Sequence, residues 1–249
     1  NPDGEFPHGD PWPESQMLAT ERELLGFYIS GHPLTEFEWA LKKYNLADGG
    51  SLEKLPPGAA TRIGGLVTQY ERRLSKKKQE PYARFRLEYL DGAVDVIAFP
   101  DAFREYGVYL QESAPVMVCG ELSKDEKLEI RAREIYPLKE VHRHFAVKVS
   151  IHIPAAKLED SRLWTVKEVL AKHPGDTPVT ICLMFPTGEK VFVNADRTFK
   201  VAATEALVLD LEHALGEESV YVEVNRKACK KTNGGRGDRP WAARETSAS

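Results

Sequence analysis

The sequence predicts a mixed fold, in which a short helical segment is followed by a five-stranded β-barrel and a small α+β domain. Up to about residue 44, apolar residues recur at the spacing of an amphipathic helix. From residue 62 to residue 138 the period shortens toward two, as in half-buried strands. Beyond residue 145, strand-like and helix-like segments alternate, which is typical of a sheet covered by helices.

The composition is that of an ordinary globular protein. The 249 residues are 42% hydrophobic and 29% charged, with a net charge of −4, which suits about two domains of roughly 100 residues each. The three cysteines are far apart and odd in number, which favours a reducing cytosol over a disulfide framework. Without an apolar run of ~18 residues or a signal peptide, we expect a cytoplasmic protein with no membrane contact. The first residue is not Met, so we expect a piece of a longer protein.

The sequence of the N-terminal part predicts a linker followed by helices. Residues 1–16 are rich in Pro, Gly and acids and form the linker, and residues 17–58 form the helical segment. A first helix is expected over residues 17–28. A second would run from Thr35, as its N-cap, to Tyr44. Its buried face would carry Phe37, Leu41 and Tyr44.

The middle of the chain predicts a barrel over residues 59–140. Strands are expected at residues 62–74, 82–90, 93–99, 115–122 and 127–137, with a helix at residues 100–110. Alternation is cleanest in the second strand, and Asp91-Gly92 after it predicts a tight hairpin. Three strands, a helix and two more strands are the order of an OB-fold.

The last part, residues 141–225, predicts the α+β domain. After a polar joint at residues 140–144, strands are expected at residues 145–153, 179–185, 190–193, 199–201 and 220–224, with helices at residues 158–173 and 204–215. We expect Trp164 and Phe185 to be core residues. Residues 226–249, rich in Gly, Arg and Ser, predict a disordered tail.

Three stretches can be compared with a known family. Residues 21–34 read Glu-Arg-Glu-Leu-Leu-Gly-Phe-Tyr-Ile-Ser-Gly-His-Pro-Leu, and residues 85–100 read Phe-Arg-Leu-Glu-Tyr-Leu-Asp-Gly-Ala-Val-Asp-Val-Ile-Ala-Phe-Pro. Both resemble the bacterial DNA polymerase III alpha subunit, the first just upstream of its OB-fold and the second within it. The family usually has Thr-Leu-Glu-Asp-x-(Thr/Ser)-Gly in the second stretch, from which Tyr89 and Asp91 depart. Residues 173–176 and the helix ending at Gly216 resemble the family's last domain.

The resemblance covers roughly residues 11–225 and implies a C-terminal portion of that subunit. This portion would hold the end of a clamp-binding region, an OB-fold that contacts single-stranded template DNA, and a domain that docks the tau subunit of the clamp loader. The peptide that binds the sliding clamp would lie before residue 1. The parent would be a DNA-directed DNA polymerase, a nucleotidyltransferase that acts in DNA replication and uses Mg in a palm domain outside this chain.

The residues themselves give no catalytic group, metal site or cofactor. Polymerase palm acids hold two metal ions and usually form a closely spaced Asp-x-Asp pair, which does not occur in this sequence. Glu36 and Glu38 are expected on a solvated helix face. His32 is expected to shape a turn, and Cys119 to be a small buried residue.

Eight residues form the candidate nucleic-acid site. They surround the turn between the first two barrel strands, which in OB-folds is a place where single strands bind. These residues are Arg72, Arg73, Lys76, Lys77, Lys78, Tyr82, Arg84 and Arg86. Lys and Arg neutralise phosphates, and a base stacked on Tyr contributes ~1–3 kcal/mol. Since the chain is slightly acidic, we expect binding to be weak, steeply salt-dependent and not sequence-specific.

Other interpretations stay open. The basic turn could be a solubilising hairpin tip, in a protein that only docks other proteins. The chain could come from the error-prone paralogue of the polymerase subunit, although those chains generally lack the last domain. It could also be a free-standing OB-fold protein that binds RNA or transfer RNA, which would not need the helical segment or the trailing α+β domain.

Overall fold

The computed structural model describes residues 32–76, 78–125, 127–196 and 199–229. The predicted linker and first helix, the candidate residue Lys77 and most of the predicted tail lie outside these residues. No helix in the described ranges is both long enough and apolar enough to cross a bilayer.

The described chain begins with a turn shaped by His32. Its backbone carbonyl accepts the amide of Thr35 at 2.8 Å, and its Nδ1 accepts the amide of Leu34 at 3.1 Å. A 3-10 turn (Thr35–Phe37) then leads into helix α1 (Glu38–Tyr44). The structural role expected for His32 agrees with these bonds. Thr35 makes no side-chain cap bond, because it is already the first residue of the 3-10 turn, so its predicted N-cap role is wrong.

Helix α2 (Gly49–Leu52) was not predicted, because the two glycines indicated a boundary. The sequence feature that starts this helix is a capping box formed by Asp48 and Ser51. The amide of Ser51 donates to Asp48 Oδ1 at 2.8 Å, and the amide of Asp48 donates to Ser51 Oγ at 2.9 Å. This reciprocal bonding satisfies helix-end donors and holds a four-residue helix in place.

Five strands close into a barrel in the order β1-β2-β3-β5-β4. Pairing is antiparallel except between β3 and β5, which run parallel. Helix α3 bridges β3 and β4. The order, with the helix between the third and fourth strands, is that of an OB-fold, so the predicted fold class is confirmed. The elements are β1 (Ala60–Leu74), β2 (Pro81–Tyr89), β3 (Gly92–Ala98), α3 (Pro100–Tyr106), β4 (Pro115–Ser123) and β5 (Glu129–Pro137).

Alternating side chains fill the barrel as the sequence predicts. In β2, Ala83, Phe85 and Leu87 point inward and are buried. The hairpin after β2 turns one residue earlier than expected, at Leu90 and Asp91, because Tyr89 already pairs with Gly92. Cys119 of β4 is fully buried, as expected for a small apolar side chain. At the neighbouring bulge, a Cβ on Gly120 would overlap the backbone carbonyl of Arg131, so only glycine fits there.

The C-terminal domain is an open sheet in the order β10-β6-β7-β8, with β9 paired to β7. Two helices, α5 and α6, cover one face of the sheet, and their buried residues form a core separate from that of the barrel. The elements are β6 (Ala146–Pro154), α5 (Asp160–Lys172), β7 (Pro174–Met184), β8 (Lys190–Asn194), β9 (Lys200–Val201), α6 (Glu205–Leu215) and β10 (Val220–Val224).

The prediction that Trp164 and Phe185 are core residues of this domain is wrong. Helix α5 buries Val166, Val169 and Leu170, and at 100° per residue Trp164 lies far from that stripe. Trp164 is 62% exposed, with Lys167 Nζ 4.7 Å from its ring centre. Phe185 comes directly after β7, at the start of the turn, and is 39% exposed.

The predicted polar joint is in fact a packed junction. A 3-10 turn (Leu138–Glu140) and helix α4 (Val141–Phe145) connect the two domains, and α4 buries Val141 and Phe145. Beside it, Arg62 of β1 is fully buried, and its guanidinium lies 3.9 Å from the ring centre of Phe145. A buried cation is tolerated only where its N–H groups find acceptors.

Three backbone carbonyls accept the N–H groups of Arg62. Its Nε donates to the carbonyl of Tyr44 at 2.7 Å, and its Nη1 and Nη2 donate to those of Lys227 and Asn225 at 3.0 Å each. The Tyr44 hydroxyl in turn donates to the carbonyl of Ala203 at 2.8 Å, across to the C-terminal domain. The prediction of a disordered tail is therefore wrong for residues 226–229, where Ala228 is also buried.

Candidate nucleic-acid interface

The β1–β2 loop is a compact six-residue turn at the end of the barrel. The amide of Ser75 donates to the carbonyl of Glu80, and the amide of Gln79 donates to that of Ser75, both at 2.9 Å. The Ser75 hydroxyl accepts the amide of Glu80 at 3.2 Å. These bonds close the loop on itself, and the side chains of Lys76, Lys78 and Gln79 are exposed. Gln79 completes the turn with a φ of +55°.

Two predicted binding residues, Lys76 and Lys78, lie on the outside of this loop. Both side chains are exposed, and neither forms an ion pair with a described carboxylate. The third lysine, Lys77, lies outside the described residues. An exposed ammonium without an acidic partner keeps its full attraction for a phosphate, so Lys76 and Lys78 are the residues best placed to bind one.

The outer face of the barrel holds four more of the predicted residues. Arg73 of β1 pairs with Tyr82 of β2, so both lie on the same face near the loop. Arg84 and Arg86 follow Tyr82 on alternate positions of β2 and extend the row away from the loop. The structure therefore brings Arg73, Tyr82, Arg84 and Arg86 together in one row.

Acidic side chains form ion pairs with the arginines of this row. Arg73 Nε donates to Glu71 Oε2 at 2.7 Å, a contact that raises the pKa of Arg73. Arg84 Nη2 lies 2.9 Å from Glu129 Oε2, on β5.

The far end of the row is also paired. Arg86 Nη1 lies 3.9 Å from Asp95 Oδ1, and Lys127 also bonds to Asp95. The arginines on the outer face are thus paired with carboxylates rather than free. A phosphate must compete with the carboxylate for each arginine.

Arg72 points to the other side of β1. It pairs with the inward-facing Ala83, and its guanidinium lies 5.8 Å from the ring centre of Phe103 in α3. Arg72 and Phe103 line a shallow cavity of about 280 Å³ with Arg104 and Pro100. Arg72 therefore does not join the row on the outer face, although it borders the same end of the barrel.

The paired acids are the part of the site that sequence reasoning missed. Glu129 lies 45 residues from Arg84 along the chain, and only the parallel pairing of β3 with β5 brings β5 beside this face. The alternation of β5 marks Glu129 as outward-facing, but no local signal names Arg84 as its partner. The resulting interface has free cations at the loop, one half-exposed aromatic ring in Tyr82, and neutralised arginines behind them.

No protein-family model matches the chain. Curated relatives match most of it. It is 31% identical over 215 residues to the DNA polymerase III subunit alpha of Mycobacterium tuberculosis strain H37Rv, covering 83% of this chain and 18% of that protein. The subunit of Escherichia coli K12 is 26% identical, over 86% of this chain and 19% of its own length. The subunit of Thermus aquaticus is 28% identical, over 90% of this chain and 18% of its own length.

These matches confirm the resemblance drawn from the sequence. The chain is similar to DNA polymerase III alpha subunits along most of its length, and it spans about a fifth of the length of those relatives.

Two similar solved structures each match about a third of the chain. The mitochondrial single-stranded DNA-binding protein Rim1 of S. cerevisiae is 15% identical and covers 33% of this chain and 96% of its own, with a TM-score of 0.28. The small single-stranded DNA-binding protein of Streptomyces coelicolor is 24% identical. The match covers 33% of this chain and 95% of that protein, with a TM-score of 0.27. At these scores the likenesses add nothing to the strand order described above.

Proposed function

We propose that this chain is a non-catalytic, C-terminal part of a DNA polymerase III alpha subunit and acts in DNA replication. The similarity to alpha subunits over 83–90% of the chain supports this assignment. The order of elements supports it too, since a helical segment, an OB-fold and an α+β domain follow one another as the resemblance implies. The parent subunit would carry out template-directed nucleotidyl transfer with Mg, on residues outside this chain.

The barrel guides single-stranded template DNA in this proposal. The observation that carries it is the loop with Lys76 and Lys78, whose side chains are exposed and free of described acidic partners, next to Tyr82 on the outer face. Phosphates would bind the lysines, and a base would stack on the tyrosine ring. Because Arg84 and Arg86 are already paired, affinity is weak and depends mainly on the loop.

The C-terminal domain docks the tau subunit of the clamp loader, and the sliding clamp binds upstream of residue 1. The similarity of residues 173–176 and of the helix ending at Gly216 to the family's last domain supports the tau contact. The presence of the whole domain, from β6 to β10, favours the replicative subunit over its error-prone paralogue, which generally lacks it.

The test is a fluorescence-anisotropy titration of labelled single-stranded DNA across a salt series. A Lys76→Ala/Lys77→Ala/Lys78→Ala variant removes the loop charges. The matched control removes three exposed lysines of the C-terminal domain, Lys157, Lys172 and Lys200, so that net charge changes equally. We expect weaker binding for the loop variant, with a salt slope smaller by about 0.7 for each phosphate that the loop no longer neutralises. The control is expected to bind like the unaltered chain.

Two outcomes contradict the proposal. Equal losses in the loop variant and its control mean that only net charge matters and that the loop is not a site. Tighter binding to RNA of the same sequence than to DNA supports the free-standing RNA-binding alternative instead. For the tau contact, the measurement is co-elution of the whole chain with purified tau subunit, and separate elution at micromolar concentrations contradicts it.

A further inference from the structure

A second basic cleft lies away from the barrel loop, between helix α1 and strand β10. Its volume is about 650 Å³, within the range of roughly 300–1,000 Å³ typical of small-molecule sites. It contains none of the eight candidate residues. The residues that line it are Trp39, Lys42, Lys43, Val222, Glu223, Val224 and Arg226.

The cleft holds an excess of positive charge. Lys42, Lys43 and Arg226 face a single acid, Glu223, whose Oε2 already lies 3.2 Å from Lys148 Nζ. Within the described ranges, no carboxylate forms an ion pair with any of the three cleft cations. Burial, followed by the nearby charge of Arg226, lowers the pKa of Lys43. Like charges that line one cleft repel each other, and an anion between them relieves the repulsion.

The cleft is built on rigid supports. The buried guanidinium of Arg62 holds the carbonyls of Asn225 and Lys227, on either side of Arg226, at 3.0 Å each. The amide of Asn225 donates to the carbonyl of Phe145 at 2.8 Å. The backbone that carries Arg226 is thus fixed before any ligand arrives, which lowers the entropy cost of binding.

The aromatic wall of the cleft is also held in place. Trp39 packs against the cores of both domains, and its ring meets that of Tyr44 edge-to-face, with centroids 6.1 Å apart. The indole remains partly exposed. Trp39 therefore places an aromatic side chain beside three cations, and single strands bind to this combination of aromatic and phosphate contacts.

We propose that this cleft binds a nucleic-acid strand, with phosphates between Lys42, Lys43 and Arg226 and a base against Trp39. A peptide of Asp and Glu alone would satisfy the cations but has no ring to stack on the indole, whereas every nucleotide carries both a phosphate and a ring, so the aromatic wall favours a polynucleotide. The site is independent of the β1–β2 loop, because the two share no residue. A strand bound here would touch the helical segment and the C-terminal domain at once.

The test is an NMR titration that detects binding in the cleft directly. The indole N–H signal of Trp39, assigned with a Trp39→Phe variant of the whole chain, is followed during titration with a single-stranded oligodeoxythymidylate. We expect a saturable shift that weakens with salt. In a Lys43→Gln/Arg226→Gln variant, affinity should fall about fivefold and the salt slope should drop by about 1.4, for two phosphate contacts. A Lys157→Gln/Lys172→Gln control, with the same charge change, should behave like the unaltered chain.

Three other results overturn the inference. A Trp39 signal that does not move at low salt removes the site. A shift with pyrophosphate but not with the oligonucleotide leaves an inorganic anion site only, and a shift that is stronger with a poly-glutamate peptide assigns the cleft to acidic proteins. Lys42→Gln, on the exposed edge, repeats the test should the double variant lose its fold. If the loop variant leaves DNA binding unchanged while Trp39 still responds, the barrel proposal fails and the cleft stands.

Discussion

The barrel and the C-terminal sheet differ in whether the edges of their strands are paired. Every barrel strand has a hydrogen-bonded neighbour on both sides, and its outer face is covered by paired charges such as Arg84 with Glu129. The C-terminal sheet stays open and ends at β8, where Val191, Phe192 and Val193 are all exposed. A closed barrel can meet ligands only through its loops and outer face, whereas an open sheet also offers an edge. The difference predicts a nucleic-acid surface on the first and a protein-binding edge on the second.

The largest effect is expected where the two regions meet. Arg62→Ala removes the donor from one buried and two partly buried carbonyls. An unsatisfied buried polar group costs about 1–3 kcal/mol, and we expect a loss of about 5 kcal/mol in the free energy of unfolding. The measurement is urea unfolding followed by circular dichroism. A single transition that shifts as a whole supports one cooperative unit. Separate transitions for the barrel and the sheet would show that the junction does not couple them.

A matched pair of core substitutions sharpens the comparison. Leu87 of the barrel and Leu211 of helix α6 are both 0% exposed, so Leu→Ala removes the same atoms at each position. We expect about 4 kcal/mol for Leu87→Ala and about 3 kcal/mol for Leu211→Ala, within the range of such changes. A ring of hydrogen-bonded strands cannot close around the cavity, while a helix on an open sheet can shift toward it. Equal losses in urea unfolding would contradict this distinction.

The open edge provides a smaller, more specific test. Phe192 is 61% exposed, so Phe192→Lys should change the free energy of unfolding by no more than about 0.5 kcal/mol. The same change should reduce self-association, because a charged side chain blocks the addition of another strand to β8. Light scattering at high protein concentration measures the second effect. A Thr165→Lys control, on the exposed face of α5, should leave association unchanged.

The smallest effect is in the pH dependence, and it comes from residues outside the barrel strands. Residues 60–137 contain no histidine, whereas burial lowers the pKa of His142 in α4 and of His152 in β6 below the ordinary value of 6.5. As the pH falls through 6.5, the unfolded chain binds these protons more readily than the folded chain does, so stability is lost. A His142→Gln/His152→Gln variant should lose less between pH 7 and pH 5 in urea titrations. An unchanged loss would assign it to other groups.

Much of the barrel could be predicted because its signals are local. The alternation around Phe85 and the turn at Asp91 are both encoded within a few residues of where they act. The buried role of Arg62 could not be predicted, since its partners come from residues 18, 163 and 165 positions away. The loop lysines were found by composition and position, but their paired neighbours depend on strand order. The Trp39 cleft was missed for the same reason, because Lys43 and Arg226 meet only in three dimensions.

The bonds of Arg62 also have a consequence for how the chain folds as it is made. Arg62 lies in the first barrel strand, but its last acceptor, the carbonyl of Lys227, is synthesised 165 residues later. At roughly 5–20 residues per second, a ribosome needs about 8–33 s to cover that distance. During this interval the nascent barrel holds a cation whose final partners do not yet exist. The full set of Arg62 hydrogen bonds can therefore form only after the end of the C-terminal domain has emerged.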